Sequence, residues 1–265
     1  GRFVATVEMS PPKGIATHRL IEGARTLQAA GANFLNIADA PLARMRMSAW
    51  AASILVQKEL EIETILHFPT RGRNLLRVQG DLLAAHAMGI RNLFVTMGDP
   101  TRIGDYPEAM DSYDIVPTGL IHLIKQQFNS GVDKAGGSLD QATNFVAGCA
   151  LSLTPTNPDR ELRLLTKKIN NGADFALTQP VFELDKTIAF IERCQSEFGG
   201  DMLPLLVGIK PLYNGRNAEF LHYEVPGISI PAEQQARMHA AKHPQQEGVQ
   251  IARETLAEIR PFVQG

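Results

Sequence analysis

Seven polar side chains stand at or just past the ends of short apolar runs: Glu8, Asp39, His67, Asp99, Ser152, Gln179 and Lys210. Glu8 lies in Val-Glu-Met-Ser-Pro-Pro. A carboxylate at the end of an apolar strand loses hydration, which raises its pKa and suits it to donate a proton near neutrality. A glutamate paired with a neighbouring arginine would leave the same trace. His67 and Arg71, in His-Phe-Pro-Thr-Arg-Gly-Arg-Asn, set an imidazole beside two guanidinium groups. That suits a phosphate-bearing cofactor, with solvated charges at a helix start as the competing reading. Gly98-Asp99-Pro100 is a turn signature. Lys167 and Lys168, late in a helix, complement its dipole as readily as they would a ligand. Gln179 can give paired donor and acceptor contacts to a planar heterocycle. No HExxH or similar ligand pair points to a metal, and no GxSxG elbow points to serine chemistry.

The elements that must position these groups alternate. Strand-like runs are predicted at Phe3 to Glu8, Asn33 to Ala38, Thr64 to His67, Asn92 to Met97, Phe145 to Leu151, Asp174 to Thr178 and Leu205 to Ile209. Between them fall helical patterns at about Thr17 to Ala30, Ser48 to Leu60, Arg73 to Met88, Thr118 to Phe128, Pro158 to Asn171 and Asp185 to Glu197, with a late helix from Gly248 to Ile259. Ser130 to Asn144 is rich in Gly, Ser, Asp and Gln and reads as a mobile loop. Alternating βα units imply parallel strands and right-handed crossovers. The expected fold class is α/β, a (β/α)8 TIM barrel of one domain over residues 1–265, with the eighth strand not evident. A doubly wound sheet is the alternative, weakened by the lack of a GxGxxG turn. In such a barrel the seven polar residues share one rim.

Bulk properties narrow the function classes. The chain has 265 residues, 44% hydrophobic and 20% charged, with net charge −2. That is ample for a core and too little positive charge for a protein held on nucleic acid. Two cysteines make no disulfide framework, and no apolar run has membrane-spanning length. The start lacks signal-peptide features, so a cytoplasmic protein, or a piece cut from a longer one, is expected.

Six stretches taken together resemble the methylenetetrahydrofolate reductase family: Val-Glu-Met-Ser-Pro-Pro, His-Phe-Pro-Thr-Arg, Met-Gly-Asp-Pro, Ser-Tyr-Asp-Ile-Val, the run Lys167 to Pro180, and Val-Pro-Gly-Ile-Ser-Ile-Pro at 225–231. They cover about residues 3 to 231 in family order, and Gly-Ala-Asp-Phe-Ala-Leu-Thr-Gln is the most specific. The chain also resembles the reductase half of bacterial fusions with a homocysteine methyltransferase domain. The resemblance implies FAD reduced by NAD(P)H, with hydride passed on to 5,10-methylenetetrahydrofolate in a ping-pong scheme. It implies Glu8 as the general acid, Asp99 as the carboxylate near flavin and pterin, and Gln179 as a substrate contact. His67, Tyr113, Asp114, Lys167 and Lys168 fall in segments that hold FAD in the family, and Arg71 and Gly98 lie beside them. A well-known form of the family has Arg-Gly-Asp where this chain has Met97-Gly98-Asp99, and the family's Tyr-Pro-Glu-x-His pattern is replaced around Ser152 to Asn157. Two other readings stay open: a non-catalytic folate-binding barrel needing a partner subunit, and a folate methyltransferase barrel without flavin. Homo-oligomers are compatible with all three.

Overall fold

The computed structural model describes residues 3–225 and 227–265. Pro226, within the 225–231 run noted above, lies outside the described residues, as do positions 1 and 2. Seven strands alternate with helices: β1 (Thr6–Met9), α1 (His18–Ala29), β2 (Phe34–Ile37), α2 (Ala49–Leu60), β3 (Thr64–Pro69), α3 (Leu75–Ala87) and β4 (Asn92–Thr96) come first. Then follow α4 (Pro117–His122), β5 (Val146–Leu151), α5 (Pro158–Asn170), β6 (Phe175–Pro180), α6 (Leu184–Phe198), β7 (Leu205–Gly208), α7 (Gly215–Glu224), α8 (Ala232–Ala240) and α9 (Pro244–Ile259). The strand order along the sheet equals the chain order. This is the expected α/β architecture of TIM-barrel type, and no eighth strand occurs among the described residues. The described backbone separates into two compact units, residues 4–150 with 167–174, and residue 3 with 151–166, 175–225 and 227–265.

In the first unit β1 to β5 pair in parallel, each with the next. Leu35 to Ile37, Thr64 to Leu66 and Leu93 to Val95 are buried residue after residue, as expected where a parallel sheet is covered on both faces. α4 runs on through a π-turn (Leu123–Gln127) and a 3-10 turn (Phe128–Ser130). The stretch from Ser130 to Asn144, expected to be loose, is tied down by its own polar atoms. Asp133 Oδ1 accepts from the backbone N–H of Ala135 and Gly137, Val132 bridges Ser138, and Asn129 Oδ1 accepts from Thr143 Oγ1 and Phe145 N.

The Gly172-Ala173-Asp174 turn has a local structural role. Gly172, at φ +92°, ends α5 in the left-handed conformation that glycine adopts without a Cβ penalty. Asp174 then accepts from Lys125 Nζ (2.8 and 2.9 Å) and from Ala147 N (2.7 Å). One carboxylate thus fixes the π-turn and the start of β5 together.

In the second unit β6 pairs in parallel with β7. Gln264 N and Gly265 N donate to Leu205 O, and Val207 N donates to Gly265 O. The last residues therefore lie beside β7 in the hydrogen-bond pattern of a parallel neighbour. The segment after β7 holds α7 and α8, which the sequence pattern did not show. Leu212, Ala218, Leu221, Ile230, Met238 and Ile251 gather them with α9 around a separate apolar cluster.

Candidate functional site

Strand register places Glu8 and His67 on one face of the sheet. Glu8 is level with Asn36, and Asn36 with Ile65. His67 lies two residues past Ile65, and side chains two apart on a strand share a face. The opposite face of these strands carries Leu35, Ile37, Leu66, Phe68, Leu93 and Val95, all buried. Polar atoms accumulate on the first face. Asn36 is buried and donates from Nδ2 to Thr6 Oγ1 at 2.7 Å, while its Oδ1 is buried without a partner. An Asn inside Phe-Leu-Asn-Ile was a readable signal that sequence reasoning passed over.

His67 is level with Phe94, whose ring meets the imidazole edge-on at 4.9 Å between centroids. Its Nε2 is buried with no hydrogen-bond partner, and burial lowers its pKa from the ordinary histidine value to about 4. The ring is therefore neutral at pH 7 and has an unused donor or acceptor position.

Glu8 differs from expectation. It is exposed, and β1 continues through Met9 with none of its four residues fully buried. An exposed side chain there keeps contact with water. Any acid role therefore rests on where Glu8 stands.

The segment after β3 wraps back on the segment after β4. Thr70 N donates to Thr96 O and Arg71 N to Met97 O, each at 3.0 Å, and Arg71 Nη1 donates to the Asp99 carbonyl. At Gly98, φ is +86° and a Cβ would come within 3.0 Å of Pro69 Cβ, so glycine lets the two loops close. Arg73, read with Arg71 as a phosphate holder, is instead engaged by two carboxylates, Asp39 at 3.0 Å and Asp81 at 3.1 Å. It also lies over the Phe68 ring at 4.5 Å. Burial raises the Asp39 pKa despite the opposing charge of Arg73.

The Asp99 carboxylate accepts from Leu42 N at 2.6 Å. Leu42 stands in a strained stretch after β2, with Ala40, Leu42 and Ala43 at φ +43°, +57° and +51°. Each such residue costs roughly 1–2 kcal/mol, so the stretch needs external anchors. Asp105 supplies more of them: its Oδ2 accepts from Met45 N at 2.9 Å and its N donates to Ala43 O at 3.3 Å. Sequence reasoning missed Asp105, which carries no signal apart from its partners.

The remaining candidates divide by occupation. Asp114 Oδ2 accepts from Leu75 N at 2.8 Å at the start of α3. Lys168 is buried and donates from Nζ to Ala150 O at 2.6 Å. Tyr113 and Lys167 are exposed. All of these belong to the first unit with Glu8, His67, Arg71, Gly98 and Asp99; Gln179, exposed at the end of β6, belongs to the second, as does exposed Lys210. Burial pushes the Cys194 thiol up to about 11, so it is no nucleophile at neutral pH. Among the described residues no group of three or more His, Cys, Asp or Glu side chains could hold a metal ion. No helix among them is long and apolar enough to cross a membrane.

Residues 1–260 match the family model described as methylenetetrahydrofolate reductase. The chain is similar to methylenetetrahydrofolate reductase 1 of Schizosaccharomyces pombe, 25% identical over 159 residues, covering 60% of this chain and 24% of that protein. It is 24% identical over 223 residues to a probable methylenetetrahydrofolate reductase (NADH) of Oryza sativa, covering 81% and 36%. It is 27% identical over 191 residues to methylenetetrahydrofolate reductase 2 of Saccharomyces cerevisiae, covering 70% and 29%. The chain thus spans 24% to 36% of the length of these relatives. Among solved structures, 2,3-dimethylmalate lyase superposes with a TM-score of 0.52 at 13% identity, covering 98% of this chain and 80% of that one. Phosphonopyruvate hydrolase does so at 0.50 and 15%, covering 98% and 83%. These two speak for the fold alone.

Proposed function

The chain belongs to the methylenetetrahydrofolate reductase family, and on that premise we propose that it reduces 5,10-methylenetetrahydrofolate to 5-methyltetrahydrofolate with NAD(P)H and bound FAD. The observation that carries this reading is His67 Nε2, buried and without a partner on the sheet face that also bears Glu8. A buried polar nitrogen left unpaired costs about 1–3 kcal/mol. A bound heterocycle with hydrogen-bonding edges would remove that penalty.

The residues fit a flavin in other respects. Arg71 has one guanidinium N–H engaged by the Asp99 carbonyl, leaving others for an anionic group. Exposed Tyr113 and Lys167 offer a hydroxyl and a charge. Asp114, Lys168, Gly98 and Asp99 would act mainly by holding loops and helix ends in place, given the backbone groups they bond or approach. When bound, FAD would supply the hydride chemistry, taking hydride from NAD(P)H and giving it to the folate in alternate half-reactions. Glu8 would deliver the proton to the nitrogen that leaves when the five-membered ring of the folate opens, and its exposure lets it recharge from water. Gln179 would contact the pterin edge.

The test separates the half-reactions. Glu8→Gln is expected to keep flavin reduction by NAD(P)H within a few-fold while folate reduction falls by about 10²-fold or more. Equal losses in both would rule out the acid role. A methyltransferase reading would show no flavin reduction in either protein.

A further inference from the structure

Asn36 stands in the apolar strand Phe-Leu-Asn-Ile and is only 4% exposed. Leucine or valine would fill that place without burying a polar group. The amide is only half engaged. Nδ2 donates to Thr6 Oγ1 at 2.7 Å, and Oδ1 is buried with no partner. A buried acceptor left bare costs stability, so its presence calls for a donor that the resting protein does not supply.

Strand register points to that donor. Thr6 and Glu8 lie two apart on β1 and share a face, and Asn36 is level with Glu8 on β2. Nδ2 and Oδ1 diverge from one carbon, so an amide tied to Thr6 through Nδ2 turns Oδ1 away from it. The next residue along that face of β1 is Glu8, whose side chain is long enough to bring its carboxyl group to the amide. An amide oxygen only accepts, and so does an ionised carboxylate. The two groups therefore bond only when Glu8 carries a proton. The charges nearby pull the other way. β1 packs against β2 and α1, and the cavity bordered by Glu8 is also lined by Lys13, Arg19, Arg46 and His18. The three permanent cations, and His18 when protonated, favour the ionised carboxylate, as does water, while His67 on β3 is neutral. An acid that must donate a proton needs a neighbour that favours its protonated form.

We propose that Asn36 is a positioning residue for Glu8, its Oδ1 accepting from the protonated carboxyl group so that the acid stays loaded and aimed before it donates. The proposal rests on the reductase reading above, in which Glu8 gives its proton to the leaving nitrogen of the folate. Donation turns the carboxyl group into a carboxylate and ends its bond to Oδ1; a proton from water restores both. Asn36 itself neither gains nor loses a proton. Thr6 belongs to the arrangement because it fixes which end of the amide is turned away from it.

Two nearly isosteric substitutions test this by moving the Glu8 titration in opposite directions. Asn36→Leu removes the acceptor, while Asn36→Asp puts a second carboxyl group beside the first, where one proton is held more tightly. The rate at which methylenetetrahydrofolate oxidises the reduced flavin falls as pH rises through the Glu8 titration. That alkaline limb is expected about one pH unit lower in Asn36→Leu and about one unit higher in Asn36→Asp. A limb that fails to fall in the first variant, or fails to rise in the second, overturns the proposal. Urea unfolding verifies that each variant folds. Should Asn36→Leu not fold, Thr6→Val decides: it frees the amide to turn and lowers the limb by a smaller amount, and an unmoved limb overturns the proposal. Carbon-13 NMR of the Glu8 carboxyl group, assigned by its loss in Glu8→Gln, reads the same titration without turnover. If NMR shows the opposed shifts and no folate is reduced, the role of Asn36 stands and the reductase reading falls. Folate reduction with an unmoved Glu8 signal gives the converse.

Discussion

The run Lys168 to Asp174 and the loops around His67 and Asp99 both carry several polar residues, yet those residues meet different fates. In that run, every named polar group is engaged: Asp174 by Lys125 and Ala147, Asn171 Nδ2 by Thr118 O, Lys168 by Ala150 O. Around His67 a buried nitrogen has no partner, and nearby Asn36 has an oxygen in the same condition. In the first region the named polar atoms serve the fold. The second region keeps buried polar atoms that no protein group satisfies. Satisfied and unsatisfied polar groups therefore mark different places in this chain.

The contrast breaks most visibly at Asp174. Asp174→Ala removes three bonds at once and leaves the Lys125 ammonium facing the Phe145 carbonyl. A loss of about 3 kcal/mol in urea unfolding is expected. A loss below about 1 kcal/mol would mean that the turn is not a structural latch.

A second prediction concerns His67. Its folded pKa of about 4 lies below the ordinary value of 6.5, so the unfolded chain binds the extra proton. The stability associated with the neutral ring is present above about pH 6.5 and is lost as pH falls toward 4. Between pH 7 and pH 5 the wild type should lose about 2 kcal/mol more than His67→Gln. Asp39, with its pKa raised, acts in the opposite direction, and comparing the two proteins cancels it. Parallel pH profiles would show that His67 is not the neutral, buried group described.

The smallest effect is local. Asp105→Ala removes the acceptor of Met45 N and loosens the left-handed stretch beside exposed Arg44. Trypsin should cut after Arg44 several-fold faster, with a stability change of about 1 kcal/mol or less. Unchanged cleavage would leave Asp99 as the sufficient clamp.

How far the sequence could be read follows the same division. Strands β1 to β7 and their helices were legible because apolar runs of strand length alternate with amphipathic ones. Helices α7 and α8 were not, because few of their side chains are buried: Ala218 and Leu221 are the apolar buried ones in α7, and Met238 stands alone in α8. So thin a stripe does not rise above a loop in periodicity. Glu8 and His67 were legible as chemical types at strand ends. The occupation of Arg73, Asp114 and Lys168 was not, since each bonds a group 18 to 39 residues away whose position depends on strand register. The exposure of Glu8 was misread for a related reason, because burial of a strand end depends on its neighbours.

The central claim is that the unpartnered imidazole marks a flavin site, and one titration tests it directly. FAD is added to the purified chain while its fluorescence and visible absorbance are followed, in parallel with His67→Phe, which retains the ring's packing against Phe94. The account predicts quenching and a shifted flavin band with the wild type, and at least tenfold weaker binding in the variant. A wild-type chain that leaves the FAD spectrum unchanged, or a variant that binds FAD equally well, would contradict it.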